Sequence, residues 1–390
     1  MHATRTHTPS GKLPLVIKSH GHVVALDGLR GVAIAAVVAF HYLTYTHHNP
    51  VVAEIVGISR AGWLGVDLFF VLSGFLITGI LLRSRSSPTY YRDFYIRRTL
   101  RIFPLYYAVL AIAFLLLPWV PGIASDSFAQ LQSRQWGLWL YATNIVNAAE
   151  NDLVFVSDVF EANHFWSLAA EEQFYLLWPA LVRILGAQRV FWVGTAIVTA
   201  SFAFKAAIPV SHSTMMLLRS DGLVLGGIVA AALANPTWAP MVVTAARRAT
   251  PILTLAIVGL YVARGGLAHD DAWANQAGIS FVALASAALL VTVLHTRPGD
   301  CLDRVLSLRP LVCLGRYSYG IYVIHWAFDP LFDRTIGAWM TTLSCGVRFI
   351  DSMTVVAVET ALAVGLAALS FHFFEMRFLV LKDRFAPVRN

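Results

Sequence analysis

The sequence predicts an all-α integral membrane protein, with about ten transmembrane helices around a polar interior cavity, and three observations predict it. Hydrophobic residues make up 57% of the 390 and charged residues only 13%, with a mean hydropathy of +0.65. A water-soluble chain of this length needs a largely polar shell and could not hide so much apolar surface. Apolar stretches of about 20 residues, enough to cross a bilayer core, recur along the chain. The cationic residues divide unequally between alternate loops, as cytoplasmic retention of Lys and Arg demands.

Ten stretches can be drawn, at 23–45, 62–83, 100–118, 163–185, 190–208, 214–234, 250–265, 276–296, 311–332 and 353–380. The run from Trp136 to Ile145 is too short to span and reads as an interfacial or re-entrant piece of a long loop. With the amino terminus inside, the cytoplasmic segments hold most of the 29 Lys and Arg. The outer segments hold Arg60, Arg134, Lys205, Arg264, Arg334 and Arg348, while Arg30, Arg219 and Arg316 lie within or at the edges of spans. The acidic loop 119–162, with Asp126, Glu150, Asp152, Asp158 and Glu161, suits the outer face. Both termini are therefore expected in the cytoplasm, with the chain in the plasma membrane.

The layout that follows is a cytoplasmic tail at 1–22, one transmembrane domain at 23–380 and a second cytoplasmic tail at 381–390. The first 22 residues are polar and lead into no short apolar run with a cleavage site, so the first span is expected to stay uncleaved. No internal repeat or linker marks a second domain. The net charge of +7 belongs to cytoplasmic loops rather than to a nucleic-acid surface. Cys301, Cys313 and Cys345 have no paired spacing and are expected to be free thiols. No motif suggests a metal.

Charges inside spans cost roughly 2.5–3.5 kcal/mol each, so each needs a partner or a wet cavity. The first span carries Asp27, Arg30 and His41 in LDGLRGVAIAAVVAFHY. The step from Arg30 to His41 is three helical turns, about 16 Å of rise, which puts both on one face. The fourth span opens with HFWSLAAEEQFYLLWP, setting Glu171 and Glu172 a few residues into an apolar helix and about 100° apart around it. One can face a cavity while the other pairs with a neighbour. A carboxylate beside His41 would fix its tautomer and raise its basicity, as a general base requires.

The run YYRDFYIRRTLRIFPLYY sets Arg98 and Arg101 three apart on one helix face at the mouth of the third span. Paired guanidiniums beside Tyr and Phe suit a phosphorylated, aromatic-bearing ligand such as a nucleotide or coenzyme A; anchoring to anionic lipid is the plainer alternative. Arg219 and Asp221 fall in the sixth span, Arg316, Tyr317, Ser318, Tyr319 and His325 in the ninth, and Glu359, His372 and Glu375 in the tenth. Each could be an interhelical hydrogen-bond partner, and together they outline a polar interior.

These blocks, in this order and over nearly the whole chain, resemble the acyltransferase type 3 family of membrane proteins, which includes O-antigen acetyltransferases and macrolide acyltransferases. The pieces that carry the likeness are LDGLRG with a His eleven residues after its Arg, GVDLFFVLSGFLIT at 65–78, RRTLRIFPLYY at 97–107, FWSLAAEEQFYLLWP at 165–179 and SYGIYVIH at 318–325. The extracytoplasmic SGNH hydrolase-like domain found in some relatives is not in this sequence. The resemblance implies transfer of an acyl group, usually acetyl, from cytoplasmic acyl-CoA as donor substrate, with no bound cofactor, to a hydroxyl. That hydroxyl is expected on a carbohydrate or on a glycosylated natural product such as a macrolide. It also implies that Arg30 and His41 are the central pair, that Arg98 and Arg101 serve the acyl-CoA, and that Glu171 and Glu172 are functional.

Bottom-up chemistry agrees, because an alcohol attacks a thioester well only if a base removes its proton, and His is poised to do so near neutral pH. His41 is the expected base and Glu171 or Glu172 its orienter. Arg30 would stabilise either the developing oxyanion or the donor's phosphates. A transient acyl-His41 is a further route. The rival class is a polytopic transporter or flippase, which would also bury Asp, Arg and His; such folds commonly show repeat symmetry and interrupted helices, and the sequence shows neither.

Overall fold

A computed structural model describes residues 23–44, 57–123, 125–207, 218–264, 267, 278–337, 339 and 348–386. Among them helix follows helix, and the nearest thing to a strand is an isolated antiparallel bridge between Val156 and Glu161. α1 is Val24–Thr44, α2 Leu64–Ser84 and α3 Tyr90–Ala111, the last prolonged by a π turn at Ile112–Leu116 and a 3-10 turn at Leu117–Trp119. Short helices α4 (Asp126–Arg134), α5 (Trp136–Trp139) and α6 (Thr143–Glu150) fill the long loop. Next come α7 (Trp166–Ala207), α8 (Asp221–Leu233), α9 (Ala239–Arg264) and α10 (Ile279–Leu294). The chain closes with α11 (Cys301–Leu306), α12 (Arg309–Ile324), α13 (Asp329–Phe332), α14 (Arg348–Ser370) and α15 (Met376–Phe385).

Six helical stretches are long and apolar enough to cross a membrane: Val24–Leu43, Gly57–Ser84, Tyr90–Trp119, Asn163–Ala207, Ala239–Arg264 and Met353–Phe385. The difference from ten has local causes. Two expected spans, 163–185 and 190–208, run together as α7, broken at Gly186, whose φ of 70° and ψ of 174° no ordinary helical residue adopts. The spans drawn at 214–234 and 276–296 begin outside the described residues, and α8 and α10 are their shorter described parts. α12 ends at Ile324, and turns at 325–328 part it from α13, where a single helix was expected to reach residue 332. α3 starts at Tyr90, ahead of the third expected span, so Arg98 and Arg101 stand within the helix.

Lys205 is a correction. The loop count placed it outside, yet it is fully buried and paired with Asp221, which also accepts from Ser280 Oγ at 2.7 Å. Hydropathy reads one stretch at a time and could not see that partner. Cys301 and Cys313 are exposed free thiols, and Cys345 lies outside the described residues.

The packing that positions the site is that of α1 on α12. A Cβ at Gly31 of α1 would stand 2.0 Å from the carbonyl oxygen of Leu311, and one at Gly315 of α12 would stand 1.8 Å from that of Asp27; Gly28 of α1 makes the same kind of contact, 1.7 Å, with the carbonyl oxygen of Leu306 at the end of α11. Only hydrogen fits where main chain lies on main chain, the usual way apolar helices associate where lipid removes the hydrophobic drive. α2 meets α8 similarly through Gly74 and Gly226. Around these contacts lies an apolar core rich in aromatics, among them Phe70, Tyr106, Phe165 and Trp178.

Candidate active site

α1 carries two of the expected site residues toward its two ends, and the structure opens a cavity at each. The first, of about 360 Å³, is lined by Arg30 of α1, by Arg97, Arg98 and Arg101 of α3, and by Lys382 of α15. Glu171, Ser73 and Tyr175 complete its polar lining. Arg30 Nη1 donates to Asp27 Oδ1 at 2.8 Å. The Arg98 guanidinium lies over the Tyr175 ring at 5.3 Å from its centroid, and the Tyr175 and Ser73 hydroxyls share a hydrogen bond of 2.5 Å. Arg97 ties down the end of α15 by donating to the Ala386 carbonyl at 2.5 Å. The lining thus holds five cations and one carboxylate, with Asp27 paired to Arg30 and Asp383 to Arg97 beside it, a surplus of positive charge of the kind that suits an anion.

The second cavity, of about 220 Å³, is lined by His41, His164, Arg219, Glu161 and Asn163, with walls of Trp63, Trp166 and Trp326. The His41 ring lies 4.8 Å from the Trp326 ring, centroid to centroid. His325 Nδ1 faces two backbone carbonyls, Ile321 O at 3.0 Å and Tyr322 O at 2.9 Å, so that nitrogen carries the hydrogen. Its Nε2 must then accept, and what it faces is His41 Nδ1 at 3.1 Å, which also has Val37 O at 3.0 Å. His41 is therefore the Nδ1–H tautomer, and its Nε2 bears the lone pair a base needs.

The second cavity holds two further groups in unusual states. Both ring nitrogens of His164 are buried with no hydrogen-bond partner among the described residues. Arg219, in the turn before α8, donates from Nη2 to Asp67 Oδ2 at 2.5 Å and lies between Trp63 and Trp166, 5.0 and 4.9 Å from their centroids. In the loop before α7, Glu161 accepts from the Asn163 backbone N–H at 2.9 Å, and burial pushes its carboxyl up to about 7. Asp158, exposed on that loop, goes the other way: hydrogen bonds from Ser125 and Ser127 hold it below the usual carboxylate range.

Val66 and Tyr322 line both cavities and so form the wall between them. The Tyr322 hydroxyl is fixed in that wall by Ser167 Oγ at 2.5 Å and by donation to the His164 carbonyl at 2.8 Å.

The sequence grouping is thus redistributed. Arg30, Arg98, Arg101 and Glu171 come together in the first cavity, and His41 opens on the second. Glu171 sits against Ser73 and Tyr175 in the first cavity, whereas His41 Nδ1 is held by the Val37 carbonyl and by His325 Nε2. Glu172 lines neither cavity, and its Oε1 is buried and unpartnered among the described residues. Sequence reasoning passed over Asp67 and His164, although a charge in GVDLFFV and an imidazole opening an apolar helix were both legible signals. Tyr317, midway along α12, pairs with His372 at 3.0 Å, and neither residue lines a cavity. No cluster of three potential metal ligands occurs among the described residues.

A family model described as an acyltransferase domain matches residues 23–372. The chain is 26% identical over 383 residues to the peptidoglycan O-acetyltransferase OatA of Listeria monocytogenes, covering 92% of this chain and 56% of that protein. It is 27% identical over 379 residues to the putative peptidoglycan O-acetyltransferase YrhL of Bacillus subtilis, covering 91% and 55%. It is 25% identical over 330 residues to the O-acetyltransferase OatA of Staphylococcus aureus, covering 78% and 50%. The chain spans about half the length of these relatives. No solved structure matches it.

Proposed function

Because the chain belongs to the acyltransferase domain family, we propose that it is a membrane O-acyltransferase that moves an acetyl group from acyl-CoA to a hydroxyl of an envelope glycan. The observation that carries this reading is the pair of back-to-back cavities: a cationic one suited to a coenzyme's phosphates, and an aromatic one holding a histidine with its base nitrogen defined. The relatives named as peptidoglycan O-acetyltransferases support a glycan acceptor.

In this reading the donor's phosphates lie among Arg30, Arg98 and Arg101, and its acyl end reaches the wall of Val66 and Tyr322. The acceptor sugar stacks on the Trp walls of the second cavity, as a ring with apolar C–H faces does, and presents its hydroxyl to His41. As that oxygen attacks the thioester carbon, His41 Nε2 takes its proton. The tetrahedral intermediate collapses, the C–S bond breaks, and the leaving thiolate recovers the proton from Nε2. His325 keeps His41 in the Nδ1–H tautomer throughout, the role first expected of Glu171 or Glu172. Glu171 acts instead on the donor side, beside Arg98.

The proposal extends to topology: about ten spans enclosing this polar interior, both termini in the cytoplasm, tails at 1–22 and 381–390 around a domain at 23–380, all in the plasma membrane. The arginine cavity then opens inward and the histidine cavity outward. A glycosylated natural product such as a macrolide is the second acceptor class, and a transporter the competing function.

The test is to incubate the detergent-purified protein and a His41→Ala variant with acetyl-CoA, solubilised peptidoglycan fragments and a macrolide panel, following thiol release and product mass. Glycan-dependent turnover by the wild type alone is expected. Turnover only with macrolides replaces the acceptor, equal turnover by the variant removes His41 from the chemistry, and no turnover with any pair favours transport.

A further inference from the structure

We infer that Arg219 is the oxyanion-stabilising residue of the acyl transfer, a role the sequence had offered to Arg30; the inference rests on the reading of the His41 cavity as the place of reaction. Three observations carry it. Arg30 lines the arginine cavity, whereas Arg219 is the guanidinium that lines the same cavity as His41. Arg219 is held without freedom to swing, paired with a fully buried Asp67 and sandwiched between Trp63 and Trp166. Its Nε is buried and has no hydrogen-bond partner among the described residues, so one N–H of a fixed cation is left to donate.

A buried donor without a partner costs roughly 1–3 kcal/mol. A chain keeps such a group where a partner arrives later. In acyl transfer that partner is the carbonyl oxygen. When the acceptor hydroxyl adds to the thioester carbon, the C=O π electrons pass to oxygen, the hydroxyl proton goes to His41 Nε2, and a negative charge appears where moments before there was a weak dipole. A donor already aimed at that position stabilises the transition state without reorganising. The surrounding charges fit this use. Asp67 balances Arg219, and Lys205 balances Asp221 close by, so the site holds its cation without a net excess that would bind anions in the ground state.

A purely structural ion pair would explain Asp67–Arg219 equally well up to this point, and a paired substitution separates the two. Arg219→Gln with Asp67→Asn removes both charges together, so no buried ion is stranded. Arg219→Lys keeps the charge and the salt bridge but lacks the Nε–H. Each variant, purified in detergent, is assayed with acetyl-CoA and solubilised peptidoglycan fragments, alongside His41→Ala. Both Arg219 variants are expected to lose kcat by about a hundredfold to a thousandfold, the usual effect of deleting one oxyanion donor. Their KM for acetyl-CoA should be unchanged, because the interaction exists only in the transition state. Wild-type kcat in the paired variant or in Arg219→Lys overturns the inference while His41→Ala stays inactive. If instead His41→Ala turns over normally and the Arg219 variants do not, the base reading falls and the oxyanion assignment stands.

Discussion

His325→Leu should slow acyl transfer by roughly ten- to a hundredfold while leaving donor binding intact. The number comes from one hydrogen bond. In the resting state His41 Nδ1–H is shared between Val37 O at 3.0 Å and His325 Nε2 at 3.1 Å. In the proposed mechanism His41 takes the hydroxyl proton and becomes an imidazolium, and its bond to His325 then becomes charge-assisted, worth about 1.5–3 kcal/mol. Leu removes that acceptor, and at about 1.4 kcal/mol per factor of ten the loss is one to two decades. The Val37 carbonyl still accepts, which sets the expectation at the lower end of that energy range. His325→Gln should recover much of the rate, since its Oε1 can stand where Nε2 stood, and such recovery separates positioning from mere bulk. The assay is acetyl-CoA thiol release with solubilised peptidoglycan, resolved into kcat and KM. A wild-type kcat in His325→Leu, or a Gln variant no better than Leu, refutes the tautomer argument.

Three further outcomes are expected. Replacing Arg98 and Arg101 together with Ala should raise the KM for acetyl-CoA by tenfold or more, from two lost charge-assisted contacts of about 1.5–3 kcal/mol each, with little change in kcat; an unchanged KM removes the donor from that cavity. Gly31→Val should destabilise the protein by at least about 1–3 kcal/mol through overpacking against the Leu311 carbonyl, whereas Gly259→Ala, which meets nothing within 4 Å, should leave thermal unfolding in detergent unaltered. Glu161, held at about 7 by burial, keeps its proton in the folded chain over a range where the unfolded chain has lost it. Its ionisation therefore removes stability as pH rises from about 4.5 to 7, by about 3 kcal/mol in total. Glu161→Gln should be more stable than wild type at pH 8 and indistinguishable from it near pH 4.5; a stability difference independent of pH would contradict the sign.

The parts of this architecture that depend on short-range pattern were legible in the sequence. α1, α2 and the apolar part of α3 follow from apolar length, and the i, i+3 step of Arg98 and Arg101 does place both in one cavity. The shared face of Arg30 and His41 was likewise readable from helical rise, although each opens on a different cavity. What was not legible are pairings made by tertiary packing. His41 meets His325 across 284 residues and Asp67 meets Arg219 across 152, and no spacing rule reaches that far. For the same reason a carboxylate close to His41 in the order of motifs was the natural partner to expect, while the actual partner is another imidazole. Lys205 failed in the opposite direction: counted as a loop charge, it is buried because Asp221 lies beside it.

The glycine contact between α1 and α12 has a mechanical meaning for catalysis. Side chains absorb strain by changing rotamer, but a main chain resting on a main chain has no such compliance. The distance between the two helices at Gly31 and Gly315 is therefore a hard stop. His41 and His325 are mounted farther along those same two rods, so their separation is inherited from backbone contact rather than negotiated by neighbouring side chains. Thermal jostling of the surrounding lipid can tilt the pair as a unit, yet it has little leverage on the gap across which the proton is steadied.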